Sequence, residues 1–295
     1  MPTVKDFETS NKPTWCPGCG NFNLFQALRQ AYELTGQDFE HLAVVWGIGC
    51  HGNGADFTRC QGFHALHGRS LPTATGLALS NPELNVVVEM GDGDGYGIGL
   101  GHFAHSCRRN IDMTVVAHDN QIYGLTTGQA SPTTEHLMKT VSTPTGVLEE
   151  PVNTIGLAIA EGATFVARGF AGDVPLLTGL LQQALEHKGF AVVDVFQPCV
   201  TWNKLNSFAW FRERVYKLEE EHGYDPTDRA GAMALSLTTF HDMACTPEEC
   251  KLPIGIIYRE EGRGTYQDGL VQLDEPLWKR AVTPRDITKT LATYT

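Results

Sequence analysis

Cys16-Pro17-Gly18-Cys19 puts two thiols on one tight turn, which the Pro-Gly pair between them favours. Thiols so spaced suit an iron–sulfur cluster or a zinc ion. Cys50, within Gly47-Ile48-Gly49-Cys50-His51, and Cys199, within Gln197-Pro198-Cys199-Val200, complete a four-thiol set only if the fold brings them together. Structural zinc more often uses two Cys-x-x-Cys knuckles, and this chain has one. Of the other cysteines, Cys107 falls in a helical pattern as a small core residue. Cys245 and Cys250 straddle an expected helix start at Thr246-Pro247 and are candidates for a second metal or thiol site.

A second constellation is Gly91-Asp92-Gly93-Asp94-Gly95-Tyr96-Gly97, followed one strand later by Asn120. The glycines permit a tight turn and let a charged ligand approach backbone amides. Asp92 and Asn120 offer hard oxygens to a divalent cation, and Mg²⁺ shares its octahedron among few protein oxygens, phosphates and water. A carbonyl near Ile122 would add a third protein oxygen. A dinucleotide fingerprint would need glycine where Tyr96 stands, and no Gly-Lys-Ser/Thr follows to make a Walker loop.

These residues need a scaffold that gathers them. Short β-branched runs alternate with helical periods, the pattern of an α/β fold: a mostly parallel sheet with helices on both faces. Residues 41–46, 85–90, 112–117 and 190–195 read as buried strands, and 163–167 as a weaker one. Helices are expected over 22–35, 71–79, 98–109, 154–161 and 174–187. Cys50, Asp92, Asn120 and Cys199 each follow a strand, and open parallel sheets bind ligands at the carboxyl ends of strands. The pattern divides the chain into a core over 1–205 and a C-terminal extension over 206–295, packed on the core or a partner. The extension begins with an amphipathic helical stretch from Phe208.

With 34 acidic and 22 basic residues, the net charge of −12 argues against nucleic acid as a main partner. No apolar run is long enough to cross a bilayer. The first residues carry no basic region followed by an apolar stretch, so a cytoplasmic location is expected. There cysteines are more often metal ligands or reduced thiols than disulfides.

Taken together, Gly91-Asp92-Gly93 and Asn120 resemble the thiamine-diphosphate signature. The whole chain resembles the catalytic beta subunit of 2-oxoacid:ferredoxin oxidoreductases. The resemblance runs through Trp15-Cys16-Pro17-Gly18-Cys19-Gly20-Asn21, Gly47-Ile48-Gly49-Cys50, His67-Gly68-Arg69, Ala74-Thr75-Gly76, Tyr123-Gly124-Leu125-Thr126, Ser131-Pro132-Thr133, Gln197-Pro198-Cys199 and Tyr224 to Arg229. It implies thiamine diphosphate, Mg²⁺ on Asp92, Asn120 and Ile122, and one [4Fe-4S] cluster on Cys16, Cys19, Cys50 and Cys199. It also implies cofactor contacts from Ile48, Gly49, Cys50, His51, His67, Gly91, Gly93, Asp94, Tyr123, Gly124, Leu125 and Thr126. His67 and Arg69 are its catalytic candidates.

The implied reaction decarboxylates a 2-oxoacid on thiamine diphosphate, passes single electrons to the cluster and on to ferredoxin, and transfers the acyl group to coenzyme A. It can run in reverse. An alpha subunit is expected to supply the activating glutamate, in a dimer of alpha-beta pairs. Relatives commonly have Leu-Thr-Lys-Gly-Gln where this chain has Leu125-Thr126-Thr127-Gly128-Gln129, and Ser or a similar residue where His51 stands. The Tyr224–Arg229 segment favours 2-oxoglutarate as substrate, with pyruvate the alternative. A zinc-stabilised α/β binding scaffold without redox activity is the reading from another class.

Overall fold

The computed structural model of the protein describes residues 1–238, 246–270, 276, 279–281, 284 and 286–294. Its strands are β1 (Leu42–Trp46), β2 (Gln61–His64), β3 (Asn85–Gly91), β4 (Met113–Asp119), β5 (Phe165–Phe170), β6 (Phe190–Phe196), β7 (Val215–Lys217) and β8 (Leu252–Arg259). They form one eight-stranded sheet in the order β2-β1-β3-β4-β6-β5-β8-β7. The six strands from β2 to β5 are parallel. β8 then adds antiparallel to β5, and β7 lies parallel to β8. Every residue of β1, β4, β5 and β6 is buried, as expected of parallel strands covered on both faces.

Successive strand residues point to opposite faces, and the core divides accordingly. Val45, Val88, Val115 and Val192 face one layer with Leu71, Phe103 and Ile155. Val44, Val87, Val116 and Val193 face the other with Leu24, Leu28, Leu177 and Leu181. The first layer is covered by α3 (Ser70–Ser80), α4 (Leu100–Arg109) and α5 (Thr154–Ala160). The second is covered by α1 (Gly20–Leu34) and α6 (Val174–Glu186). Asn153 caps α5 by accepting from the Gly156 N–H, and Asp173 caps α6 by accepting from Leu176.

The other helices among the described residues are α2 (Gly54–Phe57), α7 (Phe208–Arg214), α8 (Arg229–Leu237) and α9 (Thr288–Leu291). The helix expected from Ile98 starts two residues later, because the glycine-rich Gly93–Ile98 forms a wide turn first. The start expected at Thr246 is a single turn, closed by Cys250 N–H to Thr246 O at 3.0 Å, since the chain enters β8 directly afterwards. Cys245 lies outside the described residues. No helix among the described residues is long and apolar enough to cross a membrane.

Candidate active site

β1, β3, β4 and β6 are consecutive neighbours in the sheet. The segments leaving their carboxyl ends carry Cys50, Asp92, Asn120 and Cys199 respectively, so one edge collects all four. Between these segments opens a cavity of about 440 Å³. Its wall contains Ile48, Gly49, Cys50 and His51 after β1, His67 after β2, Gly91, Asp92, Gly93 and Asp94 around the end of β3, and Asn120, Ile122, Tyr123, Gly124, Leu125 and Thr126 after β4. All twelve expected cofactor contacts and all three expected cation oxygens therefore border one space. Gln129, the last residue of the Leu125–Gln129 segment, and Ala130 border it too, and neither was expected as a contact. Arg69 is not in the wall; it is exposed at the start of α3 and donates to the Gly68 carbonyl at 3.0 Å.

Asp94 is a structural knot at this edge. Its Oδ1 accepts the Ile48 N–H at 3.1 Å and the Gly68 N–H at 2.6 Å, and meets His67 Nδ1 at 3.1 Å. One carboxylate thus fixes the loop after β1 and the His67-Gly68 turn against the glycine segment. With its Nδ1–H committed to Asp94, a neutral His67 keeps its lone pair on Nε2. Space is tight around the knot: a Cβ on Gly47 would lie 1.8 Å from Asp94 Oδ2, and one on Gly93 would lie 2.2 Å from Tyr123 Cε1. Tyr123 in turn donates to the Gly93 carbonyl at 2.9 Å.

Asp92 is buried with Asp119 and Asp194. Burial pushes all three carboxyls above the usual range, and for Asp92 and Asp119 the neighbouring acids add to the effect. Arg168 lies 3.9 Å from Asp194 and opposes its shift. Thr133 Oγ1 lies 2.8 Å from Asp92 Oδ2 and 2.8 Å from Asp119 Oδ1. A hydroxyl has one hydrogen, so it donates to one of the two carboxyls at a time. Asn120 Oδ1 accepts from the Ile122 N–H at 3.2 Å, and between them Gln121 holds φ +58°. A buried carboxylate, an amide oxygen and a distorted backbone segment at one edge are the donor set a hard cation needs.

The segments that carry the thiols meet beside the cavity. Cys19 N–H closes the Pro17-Gly18 turn onto Cys16 O at 2.9 Å, with Gly18 at φ +82°. Gly20 N–H binds Pro198 O at 3.2 Å, which fastens that turn to the Cys199 segment. Cys50 Sγ and Cys199 Sγ are each 3.6 Å from where a Cβ on Gly124 would stand. Trp15 Nε1 donates to the Cys50 carbonyl at 2.6 Å. Burial lifts Cys19 to about 11 and Cys50 to about 12, and in both cases the other thiols of the set raise the value further. Four thiols that would repel as thiolates suit a bound cationic group that accepts them together. Among the described residues no three His, Cys, Asp or Glu side chains converge on a point that would hold a single metal ion.

A buried polar chain joins Asn21, the last residue of the Trp15–Asn21 motif, to two residues of the strands, His118 and Glu89. Glu89 Oε2 is 3.2 Å from His118 Nε2, and His118 Nδ1 is 3.0 Å from Asn21 Oδ1. Burial raises Glu89 to about 8 and lowers His118 to about 3. The consistent arrangement is neutral: protonated Glu89 donates to Nε2, and Nδ1–H donates to Asn21. The His51 ring packs tilted against His118, centroids 5.0 Å apart, and burial holds it well below the usual histidine range.

Comparison with known proteins agrees with this geometry. Residues 47–195 match the family described as thiamine pyrophosphate enzyme, C-terminal TPP binding domain. Residues 199–275 match the family described as the C terminal of the pyruvate ferredoxin oxidoreductase beta subunit. The chain is 41% identical over 276 residues to the beta subunit of 2-oxoacid:ferredoxin oxidoreductase 2 from Aeropyrum pernix, covering 91% of this chain and 87% of that one. It is 35% identical to the 2-oxoglutarate synthase subunit KorB of Methanothermobacter marburgensis, covering 84% of this chain and 89% of that one. A solved 2-oxoglutarate:ferredoxin oxidoreductase from Magnetococcus marinus, with 2-oxoglutarate, coenzyme A and succinyl-CoA bound, superposes with a TM-score of 0.87 at 36% identity, covering 100% of this chain and 96% of that chain. A thiamine-enzyme fold whose strand ends carry this constellation, joined to relatives matched along nearly their whole length, places the chain in the beta subunits of the 2-oxoacid:ferredoxin oxidoreductases.

Proposed function

We propose that the chain is the catalytic beta subunit of an enzyme that interconverts 2-oxoglutarate and coenzyme A with succinyl-CoA and CO₂, exchanging electrons with ferredoxin. The observation that carries this reading is the shared wall: Cys50 and Gly124 border the cavity, and the Cys50 and Cys199 sulfurs lie against Gly124. The names of the KorB relative and of the Magnetococcus marinus enzyme favour 2-oxoglutarate over pyruvate.

Bound thiamine diphosphate would supply the nucleophilic carbon and electron sink, and a [4Fe-4S] cluster the one-electron store. The remaining tasks fall to this chain. Asp92, Asn120 and the Ile122 carbonyl would hold Mg²⁺ while the amides after Gly91 meet the diphosphate. Ile48, Tyr123 and Leu125 would enclose the rings and exclude water. His67, oriented by Asp94, would present Nε2 to the reacting centre as a proton acceptor or donor. Cys16, Cys19, Cys50 and Cys199 would ligate the cluster. An alpha subunit would contribute the activating glutamate and close the cavity mouth.

The test is a pair of variants in the alpha-beta complex purified without oxygen. Asp92→Asn should lower magnesium and thiamine diphosphate content and leave iron nearly unchanged. Cys50→Ser should lose iron yet still bind thiamine diphosphate. Zinc in place of iron, with no thiamine bound by the wild type, would overturn the reading in favour of a zinc-stabilised scaffold.

A further inference from the structure

The turn Ser131-Pro132-Thr133-Thr134 bears no group that borders the cavity, yet it is buried and bonded to both halves of the cation site. Thr133 is 3% exposed, and its hydroxyl bridges Asp92 Oδ2 and Asp119 Oδ1 at 2.8 Å each. Thr134 is 1% exposed, and its hydroxyl donates to the Gln121 carbonyl at 2.7 Å. That carbonyl belongs to the left-handed residue between Asn120 and Ile122. The turn is itself closed, with Ser131 N–H to Thr134 Oγ1 at 2.7 Å and Thr134 N–H to Ser131 O at 3.1 Å. Val152 N–H to Pro132 O at 2.9 Å anchors it to the segment that leads into α5.

Asp92 follows β3 and Asn120 follows β4, so their relative placement depends on more than the ladder between those strands. A non-glycine residue at φ +58° costs free energy unless its surroundings hold it there. A buried carboxylate facing a second one needs a donor between them. Adjacent hydroxyls on one short turn meet both requirements.

We propose that Thr133 and Thr134 are positioning residues that clasp the two halves of the cation site, Thr133 aiming Asp92 and Thr134 fixing the Asn120–Ile122 backbone. The inference rests on the reading of Asp92, Asn120 and Ile122 as cation ligands. Neither threonine touches cation or cofactor; each acts through the group it holds. Both hydroxyls belong to the ligands' support, and such outer partners govern how tightly a metal is held.

The experiment uses the whole alpha-beta complex, stripped of thiamine diphosphate and magnesium, with thiamine diphosphate binding followed by equilibrium dialysis as Mg²⁺ is titrated. Thr133→Val should raise the half-saturating Mg²⁺ concentration about 10- to 100-fold. Thr133→Ser, which restores the hydroxyl, should return it towards the wild-type value, and iron content should be unchanged in both. Thr134→Val should shift the Mg²⁺ requirement in the same direction and provides the test if Thr133→Val does not fold. With Mn²⁺ as the probe, its electron spin resonance should show an altered coordination in Thr133→Val and a wild-type one in Thr133→Ser. Folded Val variants with the wild-type Mg²⁺ requirement would overturn the clasp while leaving the cation site standing. A wild type that binds thiamine diphosphate with no divalent cation would instead overturn the site reading, and the clasp with it.

Discussion

Glu89 is held near a folded value of about 8, against an ordinary 4.5, because it is fully buried near the end of β3. A carboxyl whose folded value exceeds its unfolded one keeps its proton more tightly in the fold. Its contribution to stability is therefore greatest below about 4.5, declines as pH rises through the window and is lowest above about 8. The decline amounts to a few kcal/mol in order of magnitude. Glu89→Gln cannot ionise and can still donate to His118 Nε2, so it should flatten this part of the stability curve. Melting midpoints of wild type and variant across the window check this, and parallel curves would show that Glu89 stays ionised. His118 should remain neutral throughout, since burial keeps it near 3. Residues of this kind were not legible in the sequence. Glu89 and His118 sit inside apolar strands, far apart along the chain, and only the β3–β4 pairing brings them together.

At the scale of elements, glycines separate into those the site requires and those it does not. Gly47 follows β1 where a Cβ would meet Asp94 Oδ2 at 1.8 Å, so Gly47→Ala must displace the carboxylate that secures three segments. Its expected outcome is loss of thiamine diphosphate binding, measured by cofactor content, even where folded complex is recovered. Gly76 lies mid-way along α3 with nothing within 4 Å of a new Cβ, so Gly76→Ala should stabilise by about 0.5–1 kcal/mol in denaturant titrations. The central strands were legible from their short β-branched runs, and the flanking helices from the helical period of their apolar residues. β2 was not, since every residue of Gln61–His64 is exposed and Phe63 is its one large apolar side chain. β8 was hidden by Pro253 and Gly255, which interrupt a run that nonetheless pairs antiparallel with β5.

At the scale of the whole molecule, several of the exposed apolar side chains stand on segments that border the cavity. Leu66 precedes His67, Leu125 lies in the wall, and Trp202 and Val141 pack beside Gly128. Leu66 is 78% exposed and Val141 65% exposed. Contiguous exposed apolar groups mark interaction surfaces, and a beta subunit has an alpha subunit to meet. Leu66→Asp should therefore reduce recovery of the alpha-beta complex on co-purification while leaving the isolated chain's melting midpoint near wild type; undiminished recovery would remove this face from the interface. At this scale the sequence was most informative. Cys50, Asp92, Asn120 and Cys199 each follow a strand, and that fact alone predicted a common edge. What it could not give was that β1, β3, β4 and β6 are immediate neighbours, because strand order is set by the crossovers rather than by any local signal.

Gly124 borders the cavity, and a Cβ built on it would stand 3.6 Å from both the Cys50 and the Cys199 sulfurs. Any paramagnet those thiols hold would act as a ruler on whatever fills the cavity. The magnetic nuclei of a bound ligand would relax faster the closer they stood to this glycine, so the gradient of line broadening across the ligand would report which end of it faces the metal.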